Sequence, residues 1–227
     1  MLTSYFFIAG AFLATIATIG AFVSYTKSKS FALKYLFLVF FFMALHAYAF
    51  SLPIIINKGN LKAVAYGYVI GIVSVFILLV LALRVQTFIT RKFFKTYANL
   101  ISIIVGVLGI IVISILLYDL RLPIINSNGI IFWNVNPWAS WLTSICCFIY
   151  GIVWTYLFYM ASNLTKNTYS KVKLLILSAD GLLFGSGALF IYTSTNELQS
   201  VIGMVLFISA CIITAPIFIM PKTSSGE

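Results

Sequence analysis

The sequence predicts an all-α protein: an integral membrane bundle of seven transmembrane helices, N-terminus outside and C-terminus cytoplasmic. Three observations carry that expectation. Of 227 residues, 63% are hydrophobic and 8% charged, whereas a water-soluble domain carries about 25% charged side chains. The apolar residues are gathered into seven segments, each near the roughly 20 residues that a helix needs to cross about 30 Å of hydrocarbon. Lysine and arginine are divided unevenly between the two alternating sets of connections, as cytoplasmic and external loops are.

The segments follow in order. Span one, Ser4–Tyr25, has no Lys or Arg ahead of it in MLTSYFFIAG. A cleaved leader starts with basic residues, so this span is read as retained. After TKSKS comes span two, Phe31–Ile56, with the single histidine, His46, about midway and Pro53 near its end. Span three, Ala63–Val85, holds Tyr66, Tyr68 and the spaced pair Gly67 and Gly71, and closes near Arg84. Span four, Tyr97–Tyr118, contains Gly106 and Gly109. The longest connection, DLRLPIINSNGIIFWNVNPW, mixes apolar with amide residues and is expected to cap the outer mouth of the bundle. Span five, Pro137–Ala161, is entered past Trp133, Trp138 and Trp141, and Trp154, Tyr156 and Tyr159 lie toward its other end. Both groups are expected at the headgroup level, where amphipathic rings are favoured. Span six, Val172–Thr193, carries Asp180. Span seven, Leu198–Met220, carries Pro216. In hydrocarbon the backbone must satisfy its own amides, so each span is expected to be helical. The alternating ten-residue segments of a barrel are absent.

Eleven cations fall on one side: Lys27, Lys29, Lys34, Arg84, Arg91, Lys92, Lys95, Lys166, Lys171, Lys173 and Lys222. Three, Lys58, Lys62 and Arg121, fall on the other. The richer side is expected to be cytoplasmic, with the plasma membrane as the expected location. The net charge of +10 comes without any basic run longer than two residues. That leaves no phosphate-tracking patch and argues against nucleic acid. Membrane lipids, other membrane subunits or a second copy are the expected partners.

Asp180 is the residue that the composition least explains. It stands inside LILSADGLLFGSG, at a depth where a charged aspartate costs about 2.5–3.5 kcal/mol on insertion scales. Gly181 and Gly185 beside it allow another helix to approach closely, so Asp180 is expected to face protein. One reading makes it a proton or cation site. The other, which the composition favours, makes it an interhelical hydrogen-bonding partner. Arg84 is the first expected partner and Lys34 the second. His46 lacks the companions of a zinc or haem site and is read as a neutral polar contact. Tyr66, Tyr68, Tyr150 and Tyr192 add polar tips to the outer half and are candidates to line a pocket. Cys146, Cys147 and Cys211 read as small apolar side chains.

No metal or cofactor is expected. Only four acids occur, Asp119, Asp180, Glu197 and Glu227, and no nucleophile–base or phosphate-loop motif is present. The helix order is similar to that of the rhodopsins in topology alone, because span seven has no lysine for a retinal Schiff base. The expectation is a non-catalytic protein, either a ligand- or lipid-sensing receptor-like module or a subunit of a larger complex. The alternative is a small-solute or proton-coupled transporter or channel using Asp180. A transporter predicts a polar path from Asp180 toward Tyr66, Tyr68 or His46. A subunit predicts a dry interior with small-residue faces outside.

Overall fold

The structure is a computed structural model and describes residues 2–57, 59–89 and 95–219. Seven helices appear in the expected order: α1 (Leu2–Ser28), α2 (Phe31–Ile56), α3 (Leu61–Ile89), α4 (Lys95–Tyr118), α5 (Pro137–Leu164), α6 (Thr168–Thr193) and α7 (Glu197–Ile219). All seven are long and apolar enough to cross a membrane, which marks the chain as a membrane protein. Several run past the expected ends. α3, with 29 residues, is about 43 Å long at 1.5 Å per residue, longer than the roughly 30 Å that crossing the hydrocarbon of a bilayer requires. The apolar run defines the part in lipid, whereas the backbone goes on hydrogen-bonding to itself until a turn residue interrupts it.

Asparagine supplies those interruptions. Asn60, Asn136, Asn167 and Asn196 each accept a hydrogen bond at 3.0 Å from a backbone N–H in the first turn of the following helix, those of Ala63, Trp138, Ser170 and Gln199. The first N–H groups of a helix have no internal acceptor, and a side-chain oxygen just before the helix supplies one.

Six helices close a ring in the order α1, α2, α3, α5, α6, α7, with α7 returning against α1. Helix α4 lies outside it against α3 and, less extensively, α5. Two crossings depend on missing side chains. A Cβ on Gly67 would lie 2.5 Å from the Ala49 carbonyl oxygen of α2, and one on Gly151 would lie 2.4 Å from the Gly181 carbonyl oxygen and 2.9 Å from the Gly185 Cα. The α5–α6 crossing is held further by side chains. Thr155 Oγ1 donates to the Ser178 carbonyl at 2.9 Å and Ser178 Oγ donates back to the Thr155 carbonyl at 2.8 Å. Trp154 Nε1 donates to the Leu177 carbonyl at 2.8 Å. Trp154 is therefore a buried strut and does not belong to the headgroup belt assigned from sequence, while Tyr156 and Tyr159 are exposed as that assignment requires.

The connection between α4 and α5 adds an element that the all-α expectation lacked. Strands β1 (Ile124–Ile125) and β2 (Ile131–Phe132) pair antiparallel, with Ile124 opposite Phe132 and Ile125 opposite Ile131. Asn126 closes the turn by accepting from Ile130 N through its side chain and donating to Ile130 O through its backbone. Gly129 takes a φ of 71°, a left-handed conformation that glycine tolerates. Open strand edges are excluded from hydrocarbon, so this hairpin belongs at the water-facing end of the bundle. It is tied down on several sides. Thr3 Oγ1 accepts from Ile131 N at 3.0 Å, and Glu197 accepts from the Asn126 and Asn128 side chains. Next to the hairpin in the same connection, Asp119 and Arg121 form an ion pair 2.7 Å apart, and Asp119 also accepts from the Asn136 side chain.

Met220, Lys58, Arg91, Lys92 and Lys222, used above for span ends or charge balance, lie outside the described residues.

Candidate functional site

Directly below the hairpin the ring is filled with aromatic side chains. Trp133, expected as an interface anchor, points inward and is 6% exposed. It lies 4.5 Å from Phe50 of α2 and 4.9 Å from Tyr68 of α3, centroid to centroid. Phe7 of α1 and Phe207 of α7 complete the cluster around His46. Trp138 and Trp141 remain exposed at the rim. Trp133 differs because the hairpin turns the chain back across the mouth just before α5 begins, a reversal that spacing along the sequence does not reveal.

His46 links this cluster to two helices. Its Nδ1 is 3.1 Å from the Gly71 carbonyl oxygen, and its Nε2 is 3.4 Å from the Tyr192 hydroxyl. A carbonyl only accepts, so Nδ1 carries the proton. Nε2 of a neutral ring is then the acceptor and Tyr192 the donor. The expectation of a histidine hydrogen-bonded across helices matches this geometry. Gly71 makes it possible, since a Cβ there would lie 2.2 Å from the Phe50 ring.

Beside the plug, the hairpin end opens into a cavity of about 510 Å³. Trp133, Asn134, Ser140, Trp141, Tyr192 and Thr195 are among its polar and aromatic lining residues, and none of its lining residues is charged. Ser140 donates to the Tyr192 carbonyl. Tyr192 thus contributes both to the cavity wall and to the hydrogen bond with His46. Of the four tyrosines singled out from sequence, Tyr192 lines this cavity, while Tyr68 packs against Tyr192 at 6.3 Å, centroid to centroid, without lining it. Tyr66 does neither, being 53% exposed on the outer face of α3. Tyr150 lies deeper, packed on Trp154.

Asp180 is the thirteenth of the 26 residues of α6. It is 6% exposed and faces protein as expected. Its partner differs from the expected one. Thr214 Oγ1 of α7 donates to Asp180 Oδ1 at 2.9 Å. Arg84 instead donates to Asn99 Oδ1 of α4, and Lys34 is exposed. Depth explains the correction. Arg84 is five residues from the end of α3 and Asp180 twelve from the start of α6, a difference of about 10 Å along the bundle axis at 1.5 Å per residue. Thr214 comes within reach of Asp180 because α6 and α7 are joined by only three residues and pack side by side, the two residues lying seventeen and thirteen residues from that connection.

The space beside Asp180 is about 20 Å³, bordered by Phe40, Met43, Tyr150, Trp154 and Phe184 among others. A single water needs roughly 10–15 Å³, so there is room for one. Thr214–Asp180 and Gly71–His46–Tyr192 are two separate hydrogen-bonded groups. The small-residue faces are taken up within the chain: Gly181 and Gly185 by Gly151 and Trp154, and Gly67 and Gly71 by α2. No protein-family model, curated protein or solved structure matches this chain.

Proposed function

We propose that this protein is a non-catalytic, receptor-like membrane module that senses a small uncharged molecule at its hairpin end. The observation that carries the proposal is the cavity of about 510 Å³, free of charged lining residues, whose wall residue Tyr192 is also hydrogen-bonded to the buried His46. Its size falls within the roughly 300–1,000 Å³ of small-molecule sites. A ligand that moves Tyr192 moves His46, and with it the contact between α2 and α3 at Gly71. Binding at the surface therefore acts directly on helix packing. The eleven-to-three distribution of cations supports an N-terminus outside, a C-terminus in the cytoplasm and insertion in the plasma membrane, which turns the cavity outward.

The test uses the full chain in lipid nanodiscs. Neutral and charged small molecules are screened for a saturable rise in melting temperature. Neutral molecules are expected to stabilise the wild type, and Ser140→Trp, which fills the cavity, is expected to remove the effect. Stabilisation by charged molecules alone, or an effect unchanged by Ser140→Trp, rules the reading out.

A second reading, a proton-coupled transporter using Asp180, draws on the one-water space at the middle of the bundle. It predicts proton flux in liposomes that Asp180→Asn abolishes.

A further inference from the structure

Besides Tyr192, four residues lining the hairpin-end cavity carry a hydroxyl group: Ser140, Thr193, Ser194 and Thr195. Each has already committed its proton within the chain. Ser140 donates to the Tyr192 carbonyl, Thr193 to the Leu189 carbonyl at 2.6 Å and Ser194 to the Ile191 carbonyl at 3.1 Å. Thr195 donates to Gln199 Oε1 at 3.2 Å, an oxygen that also accepts from the Thr195 N–H at 3.0 Å. A hydroxyl has one proton and two lone pairs, so a bound molecule meets these oxygens as acceptors. Asn134 adds another: its side-chain nitrogen donates to the Leu122 carbonyl at 3.2 Å, and its amide oxygen only accepts. The cause lies partly in α6. The last carbonyls of a helix have no internal N–H partner, and Ser140 and Ser194 spend their protons on those of Tyr192 and Ile191.

The wall also holds two indole rings. Trp133 is fixed against Phe50 and Tyr68, and Trp141 stands half exposed at the rim. The face of an indole is negative and attracts C–H hydrogens. Among the described residues, the side-chain donors left to the lining are the two indole N–H groups and the second N–H of Asn134. The cavity therefore offers several acceptors, few donors, two aromatic surfaces and no charge. Ethers, ketones and esters bring only lone pairs and leave those acceptors unpaired, which is costly once water is displaced. An ammonium ion would bring donors, but no carboxylate lines the cavity to pair with it. A saturated ring bearing several hydroxyls meets every requirement. Its O–H groups donate to the acceptor wall and accept from the indole N–H groups, while its C–H face lies on an indole.

We infer that the ligand of this cavity is a neutral hexose, held through its hydroxyl protons by Ser140, Asn134 and Thr195 and stacked through its C–H face on Trp141. This rests on the cavity being a site for a small uncharged molecule, and it names the class of that molecule.

Saturation-transfer NMR on the full chain in nanodiscs tests it, with glucose, galactose and mannose as probes and empty nanodiscs as the blank. At least one hexose is expected to show saturable transfer, strongest at its ring C–H protons. Analogues of that hexose with fluorine in place of one hydroxyl lose a donor at nearly constant size. At least one of them is expected to bind about threefold more weakly. Trp141→Leu is expected to weaken binding about tenfold, whereas Trp141→Phe keeps a ring and retains most of it. Thr195→Val is expected to weaken binding about threefold. Trp141 and Thr195 are both exposed, so the bundle core is untouched. Tyr66→Leu, on the outer face of α3, is the control and is expected to change nothing. The inference is overturned if no hexose gives saturable transfer, if every fluorinated analogue binds like its parent, or if Trp141→Leu and Trp141→Phe behave alike. Should other neutral molecules stabilise the chain while hexoses give no transfer, the hexose assignment fails and the neutral-ligand reading stands. Should no neutral molecule bind, both fail.

Discussion

Replacing Gly151 by alanine tests how the α5–α6 crossing holds the bundle together. The added Cβ would fall 2.4 Å from the Gly181 carbonyl oxygen and 2.9 Å from the Gly185 Cα. Both are backbone atoms, so no side-chain rotation relieves the overlap. Ordinary contact begins near 3.4 Å, which requires the helices to separate by about 1 Å, the difference between that contact and the 2.4 Å approach. Overpacking of this kind costs about 1–3 kcal/mol, and alanine recovers about 0.5–1 kcal/mol of helix stability relative to glycine. The net loss is centred on about 1 kcal/mol, or roughly 2–4 °C in melting temperature for a chain of this size. Separation also stretches the Trp154–Leu177 hydrogen bond and the reciprocal Thr155–Ser178 pair, so Trp154 emission is expected to shift to the red. Gly106→Ala is the matched control, because nothing lies within 4 Å of a Cβ at that position. Circular dichroism melts of both variants in the same detergent provide the measurement. If Gly151→Ala melts where Gly106→Ala does, with unchanged tryptophan emission, the close-approach argument is wrong.

Thr214→Val strips Asp180 of its donor and is expected to cost about 1–3 kcal/mol. Asp180→Asn keeps an acceptor for Thr214 and is expected to cost much less, and denaturation in mixed micelles ranks the two. Trp133→Ala removes the plug between Phe50 and Tyr68 and is expected to destabilise by about 3–5 kcal/mol, read from the same melts. Near the hairpin, the hydrogen bond from Arg121, followed by that from Asn136, holds the Asp119 carboxyl below the usual carboxylate range. A lowered folded-state value means that the stabilisation is present above about pH 4 and is lost as pH falls through the folded value. Hydrogen exchange of residues 120–122 is therefore expected to rise as pH is lowered through and below that range, after correction for the intrinsic rate. In Asp119→Asn that pH dependence should be absent.

Seven helices, their order and their approximate ends were legible because crossing hydrocarbon imposes a length and an apolar composition that no other residue pattern satisfies. That Asp180 faces protein was legible for a related reason: a carboxyl opposite lipid is costly, and Gly181 and Gly185 marked the packed face. Which residue meets Asp180 was not. The sequence puts several polar side chains at compatible positions, and only the arrangement of neighbouring helices selects Thr214 over Arg84. Trp133 and Trp138 illustrate the same limit. Both belong to one tryptophan-rich stretch, yet a reversal at Asn126–Gly129 sends Trp133 into the bundle and leaves Trp138 on the rim. The hairpin cavity likewise has no sequence signature, because it is the space left between elements distant in the chain. Composition and periodicity state how each segment meets its solvent; which segments become neighbours depends on mutual fit, at glycines such as Gly151 above all, and that is decided in three dimensions.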